Sequence, residues 1–389
     1  MSADARSLTT WRQSRFEPSR SNANRHCCPA PPCRESRVDG SLVHDLIRAS
    51  DTPACFHVFG TPVTTPFADV DFTALLPRQR WLNGNNIGFA KAYLHHLRDR
   101  PKPDLVEVHG RCHVAALIKQ KRPDLKVALY LHNDPRDMKA SRTAAERTAL
   151  LRQMAAVICV SDYIGGCFLD DLDVTDDMAA KVRTARNGVA RRLTAPSTKS
   201  PMVLLVGRMV PEKGILECAE AVARALAGHP EWEVVIVGAT HFQTAPPGSY
   251  EDKVKAALAP LGSRARMTGF LPVDEVRSLQ ERAAIIACPS LWQEPMGKTA
   301  IEALAAGSAL LTTRRGGIPE AAEGRAHIVD DPSVDSFADA IGRMVSDDHY
   351  RKSLQEAAWQ DFPFTDIAMA RDADRIRAHA ISAALAPAK

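Results

Sequence analysis

Two carboxylates, Glu294 and Glu302, stand around the start of a helix in Pro289-Ser-Leu-Trp-Gln-Glu-Pro-Met-Gly-Lys-Thr-Ala-Ile-Glu-Ala-Leu-Ala-Ala-Gly307. Glu294 precedes Pro295, and proline is well tolerated only in the first helical turn, so Glu294 falls in the loop before the helix. Glu302 falls within the helix that Gly297 to Ala306 should form, and Gly307 closes it. A loop acid beside unsatisfied backbone N–H groups, with a second acid further in, suits a ligand carrying hydroxyls and phosphate together. The N–H groups and the helix dipole take the phosphate, and the acids take the hydroxyls. A nucleotide sugar has that combination; a hydrolase's general acid/base pair is the other use of two such acids.

A second constellation lies upstream in Val203-Leu-Leu-Val-Gly-Arg-Met-Val-Pro-Glu-Lys-Gly-Ile-Leu216. A buried strand ends in Gly207, and a loop carrying Arg208 and Lys213 leads to Gly214 and a helix. Such a loop lies at the carboxyl edge of a sheet, where ligands bind. Arg supplies a fork and Lys a point charge, which together can neutralise a departing diphosphate. Alone, the two cations read as solvated surface charge; beside the Glu294 loop the ligand reading prevails. Gly297-Lys-Thr299 is not a P-loop, because the position that must be glycine is Trp292. No G-x-G-x-x-G fingerprint follows an early strand, which counts against a dehydrogenase.

Toward the front, Leu129-Tyr-Leu-His-Asn-Asp-Pro135 ends an apolar strand with His132 and Asp134, and Val106-Glu-Val-His-Gly-Arg111 ends its neighbour with His109. A strand-terminal histidine can hydrogen-bond a sugar or position an acceptor, although a capped or core histidine has the same signature. His109 and His113 have a helical metal-ligand spacing but lack a third ligand, so no metal is expected.

The elements that must position these residues are short apolar strands alternating with helical patterns from Ser41 onward. The expected strands are Cys55–Phe59, Leu105–His109, Val127–His132, Ala156–Val160 and Val182–Ala185. After a polar linker at Ser197–Ser200 come Met202–Val206, Val234–Val237, Ala265–Thr268, Ile285–Cys288, Leu310–Thr313 and His327–Val329. Their continuous apolar character marks strands buried on both faces, hence parallel sheets covered by helices. Two such series predict two doubly wound α/β domains with a ligand cleft between them. The domains are expected at 41–197 and 198–364, with a helix over 365–389 packing back on the first.

Residues 1–40 read differently. They are rich in Arg, Ser, Asn and Pro with little apolar periodicity, and are expected to be disordered or a non-native start. Arg-His-Cys-Cys-Pro-Ala-Pro-Pro-Cys33 cannot form a central strand, since proline removes ladder donors. The expectation is therefore a first strand lost or displaced, with sheet edges left exposed.

The chain has 389 residues and a formal net charge of +4, which suits an anionic substrate and does not demand nucleic acid. No apolar run approaches the roughly 18–20 residues of a membrane span. The nine cysteines have no metal-ligand spacing and read as reduced thiols of a cytoplasmic protein. Basic stretches Arg78-Gln-Arg-Trp81 and Lys119-Gln-Lys-Arg122 are candidates for peripheral contact with an anionic lipid surface, or else solvated helix faces.

The Gly-Arg-x-x-x-x-Lys-Gly loop at 207–214 and the Glu-x-x-x-x-x-x-x-Glu element at 294–302 resemble the retaining glycosyltransferases of family 4, which have the GT-B fold of two Rossmann-like domains. Thr268-Gly-Phe-Leu271 resembles the segment flanking the nucleotide base, and Gly316-Gly-Ile-Pro-Glu320 the family's Gly-rich turn. Arg186-Asn-Gly-Val189 resembles its Asn-Gly-Val turn, with Ala190 where an acid often follows. The resemblance implies that Arg208 and Lys213 contact the donor diphosphate, Glu294 the donor-sugar hydroxyls and Glu302 the ribose. Gly207, Met296, Gly297, Lys298, Thr299 and Phe270 would complete the donor pocket, with Gly40 left from a glycine-rich N-terminal loop. It raises His132 to a catalytic-side residue, with His109 and Asp134 on the acceptor side.

It also implies no metal and no cofactor, the nucleotide sugar (UDP- or GDP-linked) being a substrate. The expected reaction is hexosyl transfer to a hydroxyl, with the leaving phosphate assisting deprotonation of the acceptor. The segment from Leu131 to Pro135 with the basic residues after it resembles bacterial enzymes that build lipopolysaccharide or other surface glycans. A GT-B nucleotide-sugar epimerase and an impaired sugar-nucleotide-binding protein are the alternatives.

Overall fold

The computed structural model describes residues 7–11, 38–63, 65–77, 80–240 and 248–383. The chain divides into two compact units, Met1–Arg186 with Met369–Lys389, and Asn187–Ala368.

The first unit carries β1 (Ser7–Trp11), β2 (Phe56–Gly60), β3 (Phe72–Ala74), β4 (Leu105–His109), β5 (Val127–Leu131), β6 (Ala156–Cys159) and β7 (Val182–Thr184) in one sheet ordered β3-β2-β1-β4-β5-β6-β7. Its helices are α1 (Val38–Arg48), α2 (Arg80–His96, interrupted at Gly84), α3 (Cys112–Lys121), α4 (Ala144–Gln153), α5 (Asp162–Leu169) and α6 (Asp176–Ala179). Every residue of β4, β5 and β6 is buried, which is why β5 and β6 read as unbroken apolar runs, whereas β4 buries Glu107 and His109 among its apolar residues.

The expectation of an empty central position is corrected here, and that of a disordered 1–40 segment is corrected at residues 7–11 and 38–40, the rest of it lying outside the described residues. Ser7–Trp11 fills the place between β2 and β4, antiparallel to both, with Ser7 opposite Gly60 and Leu8 opposite Val108. The backbone groups of β2 and β4 that faced an empty slot thus gain ladder partners, and Thr9 and Thr10 are buried. The Cys-Pro-rich stretch lies outside the described residues. Gly40 is corrected too: it sits inside α1 and not in a loop, and a Cβ there would meet nothing within 4 Å.

The second unit is an all-parallel sheet of β8 (Ser200–Val206), β9 (Glu233–Val237), β10 (Ala265–Gly269), β11 (Ala283–Cys288), β12 (Ala309–Thr313) and β13 (Ala326–Val329), ordered β10-β9-β8-β11-β12-β13. Around it lie α7 (Ile215–Ala225), α8 (Tyr250–Leu258), α9 (Val273–Arg282), α10 (Lys298–Ala305), α11 (Ile318–Ala322), α12 (Val334–Ser346) and α13 (Asp348–Gln360). Cys218 and Val222 of α7 join Phe337, Ile341 and Met344 of α12 in a core against Val203, Leu205 and Ile285. Strand order reverses between β8 and β11, so the loops after these two strands flank the topological switch point where doubly wound sheets bind ligands.

The unit boundary after Arg186 precedes the polar Ser197–Ser200 stretch. Asn187 onward is tied into the second unit, where Val189 bridges Thr365 and Gly188 lies so close that a Cβ would come within 2.1 Å of the Thr365 carbonyl. The last helix, α14 (Asp366–Ser382), groups from Met369 onward with the first unit. No described helix is long and apolar enough to cross a membrane.

Candidate functional site

At the switch point of the second unit, the loop after β11 carries Glu294, which is buried. Its Oε1 is ion-paired with Lys213 Nζ from the loop after β8, and accepts a 2.8 Å hydrogen bond from Ser290 Oγ. The two loops are stitched by backbone bonds: Leu291 N and Trp292 N donate to Glu212 O at 3.0 and 3.1 Å. Gly214 makes this approach possible, because at φ +65 a Cβ would lie 2.0 Å from Pro289 O. The turn after β12 closes the third side, with Gly317 N donating to Glu294 O at 2.7 Å and Gly316 N to Gln293 Oε1. A Cβ on Gly316 would sit 2.1 Å from Glu294 O. Three loops therefore define one acid's position, and the Trp292 ring lies 5.8 Å from Lys213 Nζ.

Behind Glu294, Met296 is buried and Gly297 is the N-cap of α10 at φ +74, with no side chain capping the helix. With no side chain on its N-cap, α10 leaves its first-turn amides, those of Lys298 and Thr299, without a side-chain cap, as an anion site requires. Glu302, further along α10, accepts from Gln280 Nε2 at 3.0 Å, and Gln280 is itself buried. Gly207 follows β8, and Arg208 next to it is exposed, its guanidinium without an ion-pair partner among the described residues. Phe270, after β10, is 45% exposed. The structure thus brings Lys213, Glu294, Met296 and Gly297 together, with Glu302 on the same helix. Ser290 and Gln280, which hold the two acids, were not singled out from sequence. Ser290 lay four residues before Glu294 in the same segment, whereas nothing local marked Gln280.

In the first unit, His109 closes β4 and His132 follows β5. Both are buried, and His109 Nδ1 lies 2.9 Å from His132 Nε2. Tyr130 stacks on both rings, with centroids 5.1 and 4.8 Å away. Burial and then the neighbouring His109 push the His132 pKa down to about 3, so His132 is neutral. Asp134 acts locally, capping the turn Pro135–Asp137 and accepting from Arg136 N at 2.9 Å and Arg136 Nη2 at 2.7 Å. Behind the pair stand two residues that sequence reasoning missed, Glu107 and Arg377.

Among the described residues, no three His, Cys, Asp or Glu side chains gather as metal ligands. Of the basic stretches, Lys119 Nζ donates to Pro123 O and Leu125 O, and Arg122 forks onto Asp124. Both are turned to local partners. Residues 78–79 lie outside those described.

Two family models match the chain in tandem: Glycosyltransferase Family 4 over residues 44–192 and Glycosyl transferases group 1 over residues 190–361. Putative glycosyltransferase YtcC of Bacillus subtilis is 27% identical over 276 residues, covering 66% of this chain and 67% of that protein. Lipopolysaccharide 1,2-N-acetylglucosaminetransferase of Salmonella typhimurium is 22% identical over 294 residues, covering 72% and 74%. Among solved structures, Anabaena HepE in complex with UDP-glucose superposes with a TM-score of 0.62 at 16% identity, covering 80% of this chain and 86% of that one. At that identity the likeness shows the fold.

Proposed function

From a chain that is a glycosyltransferase of the GT-B fold, we propose that the reaction is transfer of a hexosyl group from a UDP- or GDP-sugar to a hydroxyl acceptor, with retention at the anomeric carbon. The observation that carries this reading is the buried Glu294 held against Lys213 beside the uncapped start of α10. Each member of that pair satisfies the other. A sugar hydroxyl donating to Glu294 and a phosphate oxygen meeting Lys213 would replace both halves at once. Arg208, exposed on the same loop, adds the fork that a diphosphate accepts. Lys298 and Thr299 supply helix-terminal amides, Glu302 takes the ribose with Gln280 orienting it, and Phe270 flanks the base.

The anomeric C–O bond to the diphosphate breaks as the acceptor oxygen bonds to the same face. The acceptor proton passes to the departing phosphate, and a nucleoside diphosphate leaves. Lys213, Arg208 and the α10 amides stabilise the charge that develops on that group. Glu294 positions and polarises the sugar and is not a covalent nucleophile. His132 and His109 belong to the binding surface of the first unit.

The acceptor we favour is a lipopolysaccharide or other surface-glycan intermediate, supported by the Salmonella relative. A lipid-linked acceptor would bring the chain to a membrane surface as a peripheral protein. Incubation with a panel of nucleotide sugars, reading released UDP or GDP with and without acceptor, names the donor. Glu294→Ala and Lys213→Ala must cut transfer by orders of magnitude while folding persists; a trapped glycosyl–Glu294 adduct overturns the mechanism.

A further inference from the structure

A cavity of about 380 Å³ opens in the first unit between the starts of β6 and β7, helix α6 and the last turns of α14. Strands β4 to β7 run parallel, so this is the edge of the sheet opposite to the one where His109 and His132 stand. The apolar lining comes from Ala155, Ala156 and Ile376. The polar lining is basic: Lys181, Arg183, Arg375 and His379, with Asp177 the one carboxylate among the lining residues.

Spacing in the chain brings these bases to one place. Lys181 and Arg183 are two residues apart at the edge strand β7, so they share a face of the sheet. Arg375 and His379 are four apart on α14, so they share a face of the helix. Arg183 is exposed and makes no hydrogen bond or ion pair with any described residue. The ring of His379 engages none either; its backbone carbonyl alone accepts, from Ser382 Oγ and Ala383 N. Arg375 pairs with Asp372 while remaining 79% exposed, a surface contact that holds it weakly. Lys181 Nζ makes two long bonds, 3.3 Å to Leu151 O and 3.3 Å to Met154 O, at the end of α4. Burial pushes its pKa down, and an anion beside that ammonium would offset the burial. The negative end of α14 does not cancel this charge, because Lys126 Nζ holds the carbonyls of Ile381 and Ala383.

A solvated basic surface needs no cavity and no apolar walls, and an apolar pocket needs no unpaired guanidinium beside it. Together they describe an anion with an apolar part. We infer that this cavity is a ligand site of the first unit, taking a phosphate monoester that carries a short apolar group. Arg183 gives the phosphate a two-pronged donor and Lys181 a point charge, while Ala155, Ala156 and Ile376 cover the apolar group. The volume lies at the small end of ligand pockets, which span roughly 300–1,000 Å³, and suits one phosphoryl group with a few carbons. A free phosphorylated metabolite and the phosphomonoester head group of an anionic lipid both offer this chemistry.

Calorimetric titration of the full-length chain with n-hexyl phosphate tests it, beside flotation with phosphatidylcholine vesicles containing phosphatidic acid. The expected result is saturable binding that weakens about tenfold in Arg183→Gln, the effect of losing one charge-assisted hydrogen bond. Ala180→Phe keeps every charge but fills the cavity from an exposed position in its lining. It should abolish binding while the unfolding midpoint stays in place. Vesicle binding that Arg183→Gln weakens assigns the lipid head group as the source; hexyl phosphate binding without vesicle binding assigns a free metabolite, and either result supports the site. No saturable binding in either arm, or binding that either variant leaves intact, overturns the inference, the second outcome placing the anion elsewhere on the chain. Neither variant alters the Lys213 and Glu294 loops, so a failure of the transferase reading leaves these results untouched.

Discussion

The two units each place a carboxylate against a cation, and they do so under opposite conditions. In the second unit Lys213 and Glu294 meet at the open end of the sheet, on loops whose backbones are hydrogen-bonded to each other, and Lys213 remains partly exposed. In the first unit Glu107 and Arg377 meet inside the protein, both almost wholly buried, on elements 270 residues apart. In the proposed reading the loop pair exchanges its partners for a ligand, since Lys213 stays open to water. The interior pair cannot do so, since both charges lie out of reach of water and parting them carries the desolvation cost of a buried ion that Asp374 only partly offsets. On that reading the same chemistry serves as a binding device in one place and as a sealed interior contact in the other.

This contrast is easiest to break by deleting one member of each pair. Glu107→Ala should cost about 3–5 kcal/mol of stability, because Arg377 loses its two-pronged buried partner and keeps only Asp374. Chemical unfolding measures it, and Glu107→Met with Arg377→Met should recover most of the loss. If the single variant is as stable as the wild type, the pair is not a sealed one. Glu294→Ala should do the reverse: kcat/KM falls by about 10²–10³, the usual effect of removing one preorganised polar contact to the transition state, while the unfolding midpoint moves little. A large stability loss without an activity loss would assign Glu294 a structural role.

A smaller effect separates the geometry of the loop from its charges. Gly316→Ala places a methyl group 2.1 Å from Glu294 O, so the acid must shift, and donor affinity should drop along with about 1–3 kcal/mol of stability from backbone strain. Gly324 has a similar positive φ of +74 but open space around a Cβ. Gly324→Ala therefore measures strain alone and should leave donor affinity untouched. Equal effects on affinity from both substitutions, read by calorimetry with the nucleotide, would remove the argument that the turn seats Glu294.

How much of this was legible in sequence follows the same division. The loop site was readable because its parts are local: Arg208 and Lys213 share one loop, Glu294 and Glu302 one strand-to-helix segment, and Pro295 and Gly307 bound the helix, observed as Lys298–Ala305. The buried strands were readable from short, largely apolar runs, with Leu105–His109 found to the residue although it carries Glu107 and ends in His109. Strand β1 was not, because Ser-Leu-Thr-Thr-Trp is short and sits in polar surroundings, and what makes it a strand is the pair of ladders offered by β2 and β4. Arg377 was invisible for a similar reason: on a helix rich in Ala and Arg it looks like any solvated cation until α14 lays it against Glu107. Asp134 showed the opposite error, a polar residue at a strand end whose carboxylate is taken by the Arg136 beside it.

The smallest test asks whether a buried cation needs a carboxylate at all. Lys199 in the second unit has none in contact; its Nζ donates to Glu281 O at 2.8 Å, Ala306 O at 2.7 Å and Ser308 Oγ at 3.2 Å. Arg377, with Glu107 and Asp374 outweighing the effect of burial, is shifted upward, whereas burial pushes Lys199 down to about 8 and the more distant Glu281 only partly opposes it. The ordinary lysine value is 10.5, so between pH 8 and 10.5 the unfolded chain binds more protons at this position than the folded one. Stability contributed by this site must then rise with pH across that window, since folding is favoured wherever the unfolded state holds the extra proton. Tyrosines and cysteines titrate in the same range, so the quantity to measure is the difference between wild type and Lys199→Met as pH is raised from 7.5 to about 10.5, the ordinary lysine value. The wild type should gain on the variant through that interval. A flat difference would mean that three neutral oxygens serve a half-buried ammonium as well as water does.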